Sequence, residues 1–328
     1  MPPLLKRLLA GIGITLASAL LALALIAFLP PRRAPFVVRS QPATDYESAR
    51  ARTAALLANP PPEVRPECRS AVLDHGRRTP DAYVLLHGLT NCPVQFHKFA
   101  DQLYAGGANV LLLRLPYHGF TDRMTPEQSR LTAQDMLDSA SMAVDLARGY
   151  GERVIVIGLS VSAVSAAWLA QERSDIDLTV VIAPFLAPIG VKSGFIAPLS
   201  NLLLRLPNAF VWWDSQQKEA LVGSPVSYPR FATRSIGEVM NLGLDLFAKA
   251  GHAPPRSKKI LLVTSPADTA ISAPRVRELA ALWKDRARSR SFPAAWNVPH
   301  DSIDPTQPDE QTALVYPQLI EWINAELR

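Results

Sequence analysis

From Ala108 onward the chain alternates continuous apolar runs of strand length with stretches of helix length. The runs are "ANVLLLRLP", "RVIVIGLS", "LTVVIAPF" and, after a long gap, "KILLVTSPAD". Between the first two lies "TAQDMLDSASMAVDLARGYG", amphipathic, opened by a threonine and closed by a glycine, and "AVSAAWLAQE" follows the second. A strand that is apolar at every position must be covered on both faces, and a helix-length crossover joins parallel neighbours. The pattern therefore specifies an α/β fold with a mostly parallel central sheet and helices on both faces.

The flanking segments extend this reading. "CRSAVLDHG" and "AYVLLHG", on either side of "RRTPD", read as a hairpin, and "VQFHKFADQLYAGG" as a helix stopped by glycine. After Phe185 the rhythm breaks for about seventy residues rich in proline, leucine and aromatics, including "FIAPLSNLLLRLP" and "NAFVWWD". Residues 186–256 are accordingly expected to form an inserted helical lid. The helix "APRVRELAALWKDRAR", a last strand around "RSFPAAWNVPH" and a terminal helix around "LVYPQLIEWINAEL" complete the body.

Ahead of it, Lys6 and Arg7 precede 22 uncharged residues, Leu8 to Leu29. At about 1.5 Å per residue this run is long enough to cross a bilayer core of about 30 Å. Residues 1–30 are expected to be a membrane anchor or an export signal. The anchor is favoured because the run exceeds a typical signal core and ends in Phe28, Leu29, Pro30 and Pro31 rather than in a small-residue cleavage site. Positive charge on both sides (Lys6 and Arg7, Arg32 and Arg33) leaves orientation open. The short N-terminal tail and a possible disulfide favour a body on the periplasmic or extracellular side. Residues 31–66, opened by "PPRRAP" and closed by "NPPPEVRP", read as a proline-rich, semi-rigid linker, and residues 67–328 as the folded domain.

A net charge of +5 without any basic, aromatic-interleaved stripe argues against a nucleic-acid partner. The two cysteines, Cys68 and Cys92, are too few for a disulfide scaffold or a metal site. They are either one bridge or two buried thiols. No metal and no cofactor are expected.

An α/β sheet does its chemistry at the carboxyl ends of its strands. Ser160 ends one apolar run, Asp268 follows "KILLVT", and His300 follows the last strand. A serine hydroxyl is a weak nucleophile, so it needs an imidazole to take its proton and a carboxylate to hold that imidazole. Ser160, His300 and Asp268 can supply these roles, in the chain order of a nucleophile placed on a strand-to-helix elbow. Ser160 can also be read as a plain helix N-cap, and Asp301 or Asp304 compete with Asp268 as the acid. Asp301 is disfavoured because it adjoins His300 in sequence.

With "LLHGLTN", "RLPYHG", "GLSVSA", "SPADTAIS" and "VPHD" in this order, the chain from about residue 67 resembles the α/β-hydrolase family, among its members the carboxylesterases and monoglyceride lipases. The resemblance implies a serine hydrolase that cleaves small-molecule or lipid esters through an acyl-enzyme, and the N-terminal apolar run would anchor it to a membrane. It implies an oxyanion hole from the backbone N–H groups of Leu89 and Val161, with His87 and His118 shaping loops rather than moving protons. Ser162 departs from the family's usual glycine, and its hydroxyl is placed to draw Ser160 away from His300. In the insertion, Leu202, Leu203, Leu204, Phe210, Trp212 and Trp213 suit an apolar acyl pocket. Thioester or amide cleavage and acyl transfer would use the same site. A non-catalytic, hydrolase-like binding module would be marked by loss of a triad member, and all three are present.

Overall fold

The computed structural model describes residues 2–29, 34–218, 221 and 223–328. Its centre is a seven-stranded sheet of β1 (Ala71–Leu73), β2 (Thr79–Leu86), β3 (Asn109–Leu112), β4 (Gly151–Leu159), β5 (Leu178–Ile182), β8 (Lys259–Thr264) and β9 (Ala287–Ser291), in the order β1-β3-β2-β4-β5-β8-β9. Every pairing is parallel except β1 with β3. The apolar strands occupy the middle: β3 and β5 are buried at every position, and β4 from Val154 to its end. This is the covered sheet expected from strands without an outward polar face.

The hairpin expected around "RRTPD" does not form. β2 is hydrogen-bonded on one side to β3 and on the other to β4, so it has no free edge for β1. The three-residue β1 pairs instead with β3, Val72 opposite Leu111, and closes that edge of the sheet. The last strand also lies earlier than expected, at Ala287–Ser291, with a 3₁₀ turn at Ala294–Trp296 after it.

Helices flank the sheet. α3 (His97–Ala105) and α9 (Thr312–Leu327) meet through Phe99 and Tyr316, ring centroids 5.1 Å apart. α4 (Ala133–Tyr150), α5 (Val161–Glu172), α7 (Thr233–His252) and α8 (Ala273–Trp283) form a second contiguous group. α4 starts at a capping box in which Thr132 and Asp135 exchange side-chain and backbone hydrogen bonds. Between β5 and β8 the chain also forms α6 (Ser193–Arg205) and a two-stranded antiparallel ribbon of β6 (Phe210–Trp212) and β7 (Arg230–Ala232).

From residue 34 the segment read as a spacer lies against the body instead. α2 (Tyr46–Leu57) packs on α4, burying Ala49 and Thr53, and Asp145 accepts from Ser40 Oγ and from the Gln41 N–H. Close approach is possible because Gly149 carries no side chain; a Cβ there would lie 2.5 Å from Ala49 Cβ. Proline density marked the ends of this segment but said nothing of the helix face between them.

α1 (Pro3–Phe28) is an apolar helix without a side-chain N-cap, and leucines from Leu4, 80% exposed, to Leu25 stand free of the body. Its C-terminal end packs on α6, where Asn201 Nδ2 donates to the Ala27 carbonyl at 2.8 Å and Arg205 donates to those of Ile26 and Leu29. The two side chains supply partners for helix-end carbonyls that have none inside α1.

Cys68 and Cys92 form a disulfide, Cα atoms 5.3 Å apart, packed with Val64 and Val226. The bridge ties the start of the domain to the loop that follows β2. It closes a loop of sequence separation 24, for which loss of chain entropy in the unfolded state corresponds to about 3.5 kcal/mol. Urea unfolding of a Cys68→Ala/Cys92→Ala variant is expected to show a stability loss of about 2–4 kcal/mol; equal midpoints for the variant and the oxidised protein would contradict this.

Candidate active site

β4 lies at the middle of the sheet, and the chain leaves it through a residue with positive φ. Ser160 has φ 58° and ψ −114°, a conformation that L-residues avoid at a cost of about 1–3 kcal/mol. Two backbone bonds hold it there: Ser160 N–H donates to Ile182 O at 3.0 Å and Phe185 N–H donates to Ser160 O at 3.1 Å. Room for the turn comes from Gly158, where a Cβ would lie 2.5 Å from the Ser162 carbonyl oxygen. Ser160 is not a side-chain N-cap, since its hydroxyl makes no capping bond to α5.

That hydroxyl lies 2.9 Å from His300 Nε2, while His300 Nδ1 lies 2.8 Å from Asp268 Oδ2. A carboxylate can only accept, so Nδ1 carries the proton and Nε2 accepts from Ser160. Asp268 is held in turn by the Ala270 N–H at 2.8 Å, and its side chain is 1% exposed. Burial alone would pull the His300 imidazole down; the hydrogen bond and charge of Asp268, joined by the charge of Asp301, outweigh it and hold His300 above its ordinary 6.5. The competing carboxylates are engaged elsewhere. Asp301 accepts from Gln95 and Gln307, and Asp304 from Asn91 at 2.7 Å.

Ser162 does not draw Ser160 away. Its hydroxyl donates to the His87 carbonyl at 2.5 Å, tying the first turn of α5 to the end of β2. His87 itself is a fixed neutral ring: Nδ1 donates to Gly88 O at 2.9 Å and Nε2 accepts from the Leu115 N–H at 3.0 Å. Burial first, then the neighbouring His118, pushes its pKa well below 6.5. His118, also buried, is pushed down to about 4 and donates through Nδ1 to Pro116 O. Neither ring touches Ser160 or His300 by any hydrogen bond among the described residues.

Leu89, in the loop after β2, and Val161, the first residue of α5, both line a cavity of about 510 Å³ that is also lined by Ser160 and His300. Among the described residues neither N–H is paired with a backbone acceptor. Two free donors beside a serine–histidine pair make a place where negative charge on a substrate oxygen can be held.

The cavity's apolar wall comes from Phe185, Pro188, Trp213, Phe231, Ile236 and Ala270. Of the aromatic residues singled out in the insertion only Trp213 is on it. Phe210 and Trp212 are not, and strand alternation gives the reason. In the β6–β7 ribbon Val211 pairs with Phe231, and the Trp213 ring packs against Phe231 at 4.5 Å between centroids, tilted by 43°. Phe210 and Trp212 project from the opposite face, with the Arg230 guanidinium 4.2 Å over the Phe210 ring. Leu202, Leu203 and Leu204 belong to α6 and lie off the cavity as well. Gln95 and Gln307, which hold the loops around the site, carried no motif in the sequence, and Asn91, inside "LLHGLTN", was given no role there.

A parallel sheet with an elbow serine, a late carboxylate and a later histidine converging over its carboxyl edge defines the class of α/β hydrolases. The profile described as Alpha/beta hydrolase family matches residues 83–313; the chain belongs to that family. Among curated proteins, no sequence relative matches it. Solved structures with the same fold include one described with LipS and LipT, two metagenome-derived lipolytic enzymes (17% identity, TM-score 0.60, 80% of this chain and 99% of the other). A monoacylglycerol lipase of Paleococcus ferrophilus is similar at 17% identity and TM-score 0.59, covering 78% of this chain and 98% of the other. A soluble variant of Saccharomyces cerevisiae monoglyceride lipase, in complex with a substrate analog, aligns at 12% identity and TM-score 0.57, over 78% and 91%.

Proposed function

We propose that the protein hydrolyses carboxylic esters through an acyl-enzyme formed on Ser160. The observation that carries this reading is the unbroken hydrogen-bonded line from Asp268 through His300 to Ser160 at the floor of an apolar cavity. Ser160 Oγ attacks the ester carbonyl carbon as His300 Nε2 takes its proton, and the carbonyl oxygen becomes an anion held by the Leu89 and Val161 N–H groups. The C–O bond to the alcohol breaks as His300 returns the proton to the leaving oxygen. Water, deprotonated by His300, then attacks the acyl carbon and releases the acid and Ser160. The lipolytic and monoglyceride-lipase neighbours favour an ester over a thioester or an amide, and the apolar wall suits the acyl chain. We read the segment from residue 186 through β7 as the cap over this chain, with Trp213 and Phe231 its inner surface.

For placement, we read α1 as a membrane anchor. It is an apolar helix of 26 residues, about 39 Å long, with large apolar side chains such as Ile14, Leu20 and Leu21 exposed and its last turn fixed to α6. The disulfide supports a body in an oxidising compartment, periplasmic or extracellular. Sedimentation of the full chain with membranes through an alkaline carbonate wash is the expected result; recovery of a shortened protein in the soluble fraction would instead make the segment a cleaved signal.

Wild-type protein is expected to release acid from short-chain p-nitrophenyl esters, and Ser160→Ala to lose at least about 10⁴-fold in kcat. Turnover requires His300 neutral, so kcat/KM rises with pH through its pKa. Because that pKa is raised, the acid limb should have its midpoint above 6.5. A midpoint below that value, or equal rates for wild type and Ser160→Ala, would contradict the assignment.

A further inference from the structure

The cavity beside Ser160 has a second wall, and its chemistry is one-sided. Polar side chains lining it, apart from Ser160 and His300, are Thr90, Asp214, Ser227, Asp301 and Gln307, with the Trp213 ring nitrogen beside them. Each hydrogen these groups can donate is already committed within the protein. The Thr90 hydroxyl donates to Leu89 O at 2.6 Å, Ser227 to Ser224 O at 3.0 Å, and Trp213 Nε1 to Thr90 Oγ1 at 3.0 Å. Gln307 Nε2 lies between two carboxylates, 3.1 Å from Asp301 Oδ2 and 3.3 Å from Asp304 Oδ2. This fixes the amide with both hydrogens turned to the carboxylates and leaves Oε1 as an acceptor.

Asp301 is one of two carboxylates on this wall, with Asp214. Each of the Asp301 oxygens accepts one amide hydrogen, from Gln95 at 3.2 Å and from Gln307 at 3.1 Å, which leaves roughly half of a carboxylate's four lone-pair positions unfilled. Among the described residues it makes no ion pair with a lysine or arginine, and no lysine or arginine lines the cavity. Asp301 and Gln307, together with His300, also line a second, smaller polar cavity of about 310 Å³. Burial pushes the Asp301 carboxyl up to about 6, His300 opposing and Asp304, Asp268 and Asp309 adding to it. At neutral pH it is therefore mostly an anion with unfilled acceptor capacity.

The reaction itself says which part of the substrate this wall meets. His300 must hand its proton to the leaving oxygen, so the alcohol portion of the ester leaves past His300, and Asp301 is the next residue in the chain. Resting on the ester-hydrolase reading above, we propose that Asp301, with Gln307, is a specificity-determining residue for the leaving alcohol, selecting alcohols that carry a hydrogen-bond donor, a hydroxyl or a protonated amine, on the carbon next to the ester-bearing one. A donor there completes the carboxylate's shell; an alkyl group in the same place buries an acceptor without a partner. An ether, a carboxylate or any other acceptor-only group meets acceptors and is rejected.

Two isosteric pairs of butyrate esters test this on the full-length protein: 2-hydroxyethyl against propyl, and 2-(dimethylamino)ethyl, protonated at neutral pH, against 3-methylbutyl. Wild type is expected to favour the donor-bearing ester of at least one pair by about tenfold or more in kcat/KM. Preference in the first pair alone assigns a neutral hydroxylated alcohol, and preference in the second an amino alcohol. Asp301→Ala should bring the ratio to within about threefold of unity, and so should Gln307→Leu in part. Asp301→Asn, which keeps the side-chain shape, should lower the ratio for the ammonium pair if Asp301→Ala fails to fold. Ratios taken within one enzyme cancel any effect of the Asp301 charge on His300. Turnover of all four esters with ratios near unity in wild type, or ratios unchanged by every variant, would overturn the subsite while leaving ester hydrolysis in place. Turnover of none of the four would overturn both.

Discussion

Everything at this site is referred to the backbone of Ser160. A left-handed φ of 58° at a residue with a side chain is unfavourable in isolation, and it persists because β4 and β5 determine it from both sides. Ser160 N–H donates to the carbonyl of Ile182, the last residue of β5, and Ser160 O accepts from Phe185 in the chain leaving that strand. The turn lifts the hydroxyl off the sheet edge and starts α5 immediately, so the Val161 N–H is left without an intrahelical partner. One strained residue thereby presents the hydroxyl and one of the two N–H groups opposite it.

The other parts are positioned by loops, and those loops are stitched to one another rather than left to the sheet. Ser162 ties α5 to the His87 carbonyl, and Gln95 receives the Gly88 N–H while donating to Asp301. Asn91 donates to Asp304, so the loop after β2 is joined twice to the loop that carries His300. The disulfide at Cys92 and the Trp213 contact with Thr90 hold the same loop to the start of the domain and to the β6–β7 ribbon. Because these partners are buried and largely satisfied, a shift of any one would leave others unpaired, which is the physical basis for a single arrangement.

The sheet was legible because its strands are apolar on both faces, a pattern with few solutions, and Ser160, Asp268 and His300 were legible because strand ends in such a sheet converge. Strand partners were less so: the run around Ala71 is as compatible with β2 as with β3, and only the occupied edges of β2 decide. The sequence "FVWW" announces aromatic material but not which alternate residues look inward, so Trp213 and Phe231 share the cavity while Phe210 and Trp212 do not. Ser162, read as a competitor for Ser160, serves the end of β2 instead, a contact between residues 75 apart that no local pattern encodes. Gln95 and Gln307 illustrate the same limit, since these amides act by where they stand and belong to no motif; Asn91 lies within "LLHGLTN", but its partner Asp304 is 213 residues away.

The central claim is that Ser160 is an activated nucleophile. Intact-mass analysis of the full-length protein after incubation with a fluorophosphonate addresses it directly, with Ser160→Ala as the control. A single phosphonyl adduct on wild type and none on Ser160→Ala is the outcome the geometry demands. A folded wild-type protein that acquires no adduct, or a Ser160→Ala variant that acquires the same one, would show that the hydrogen-bonded line ending at Ser160 does not activate it.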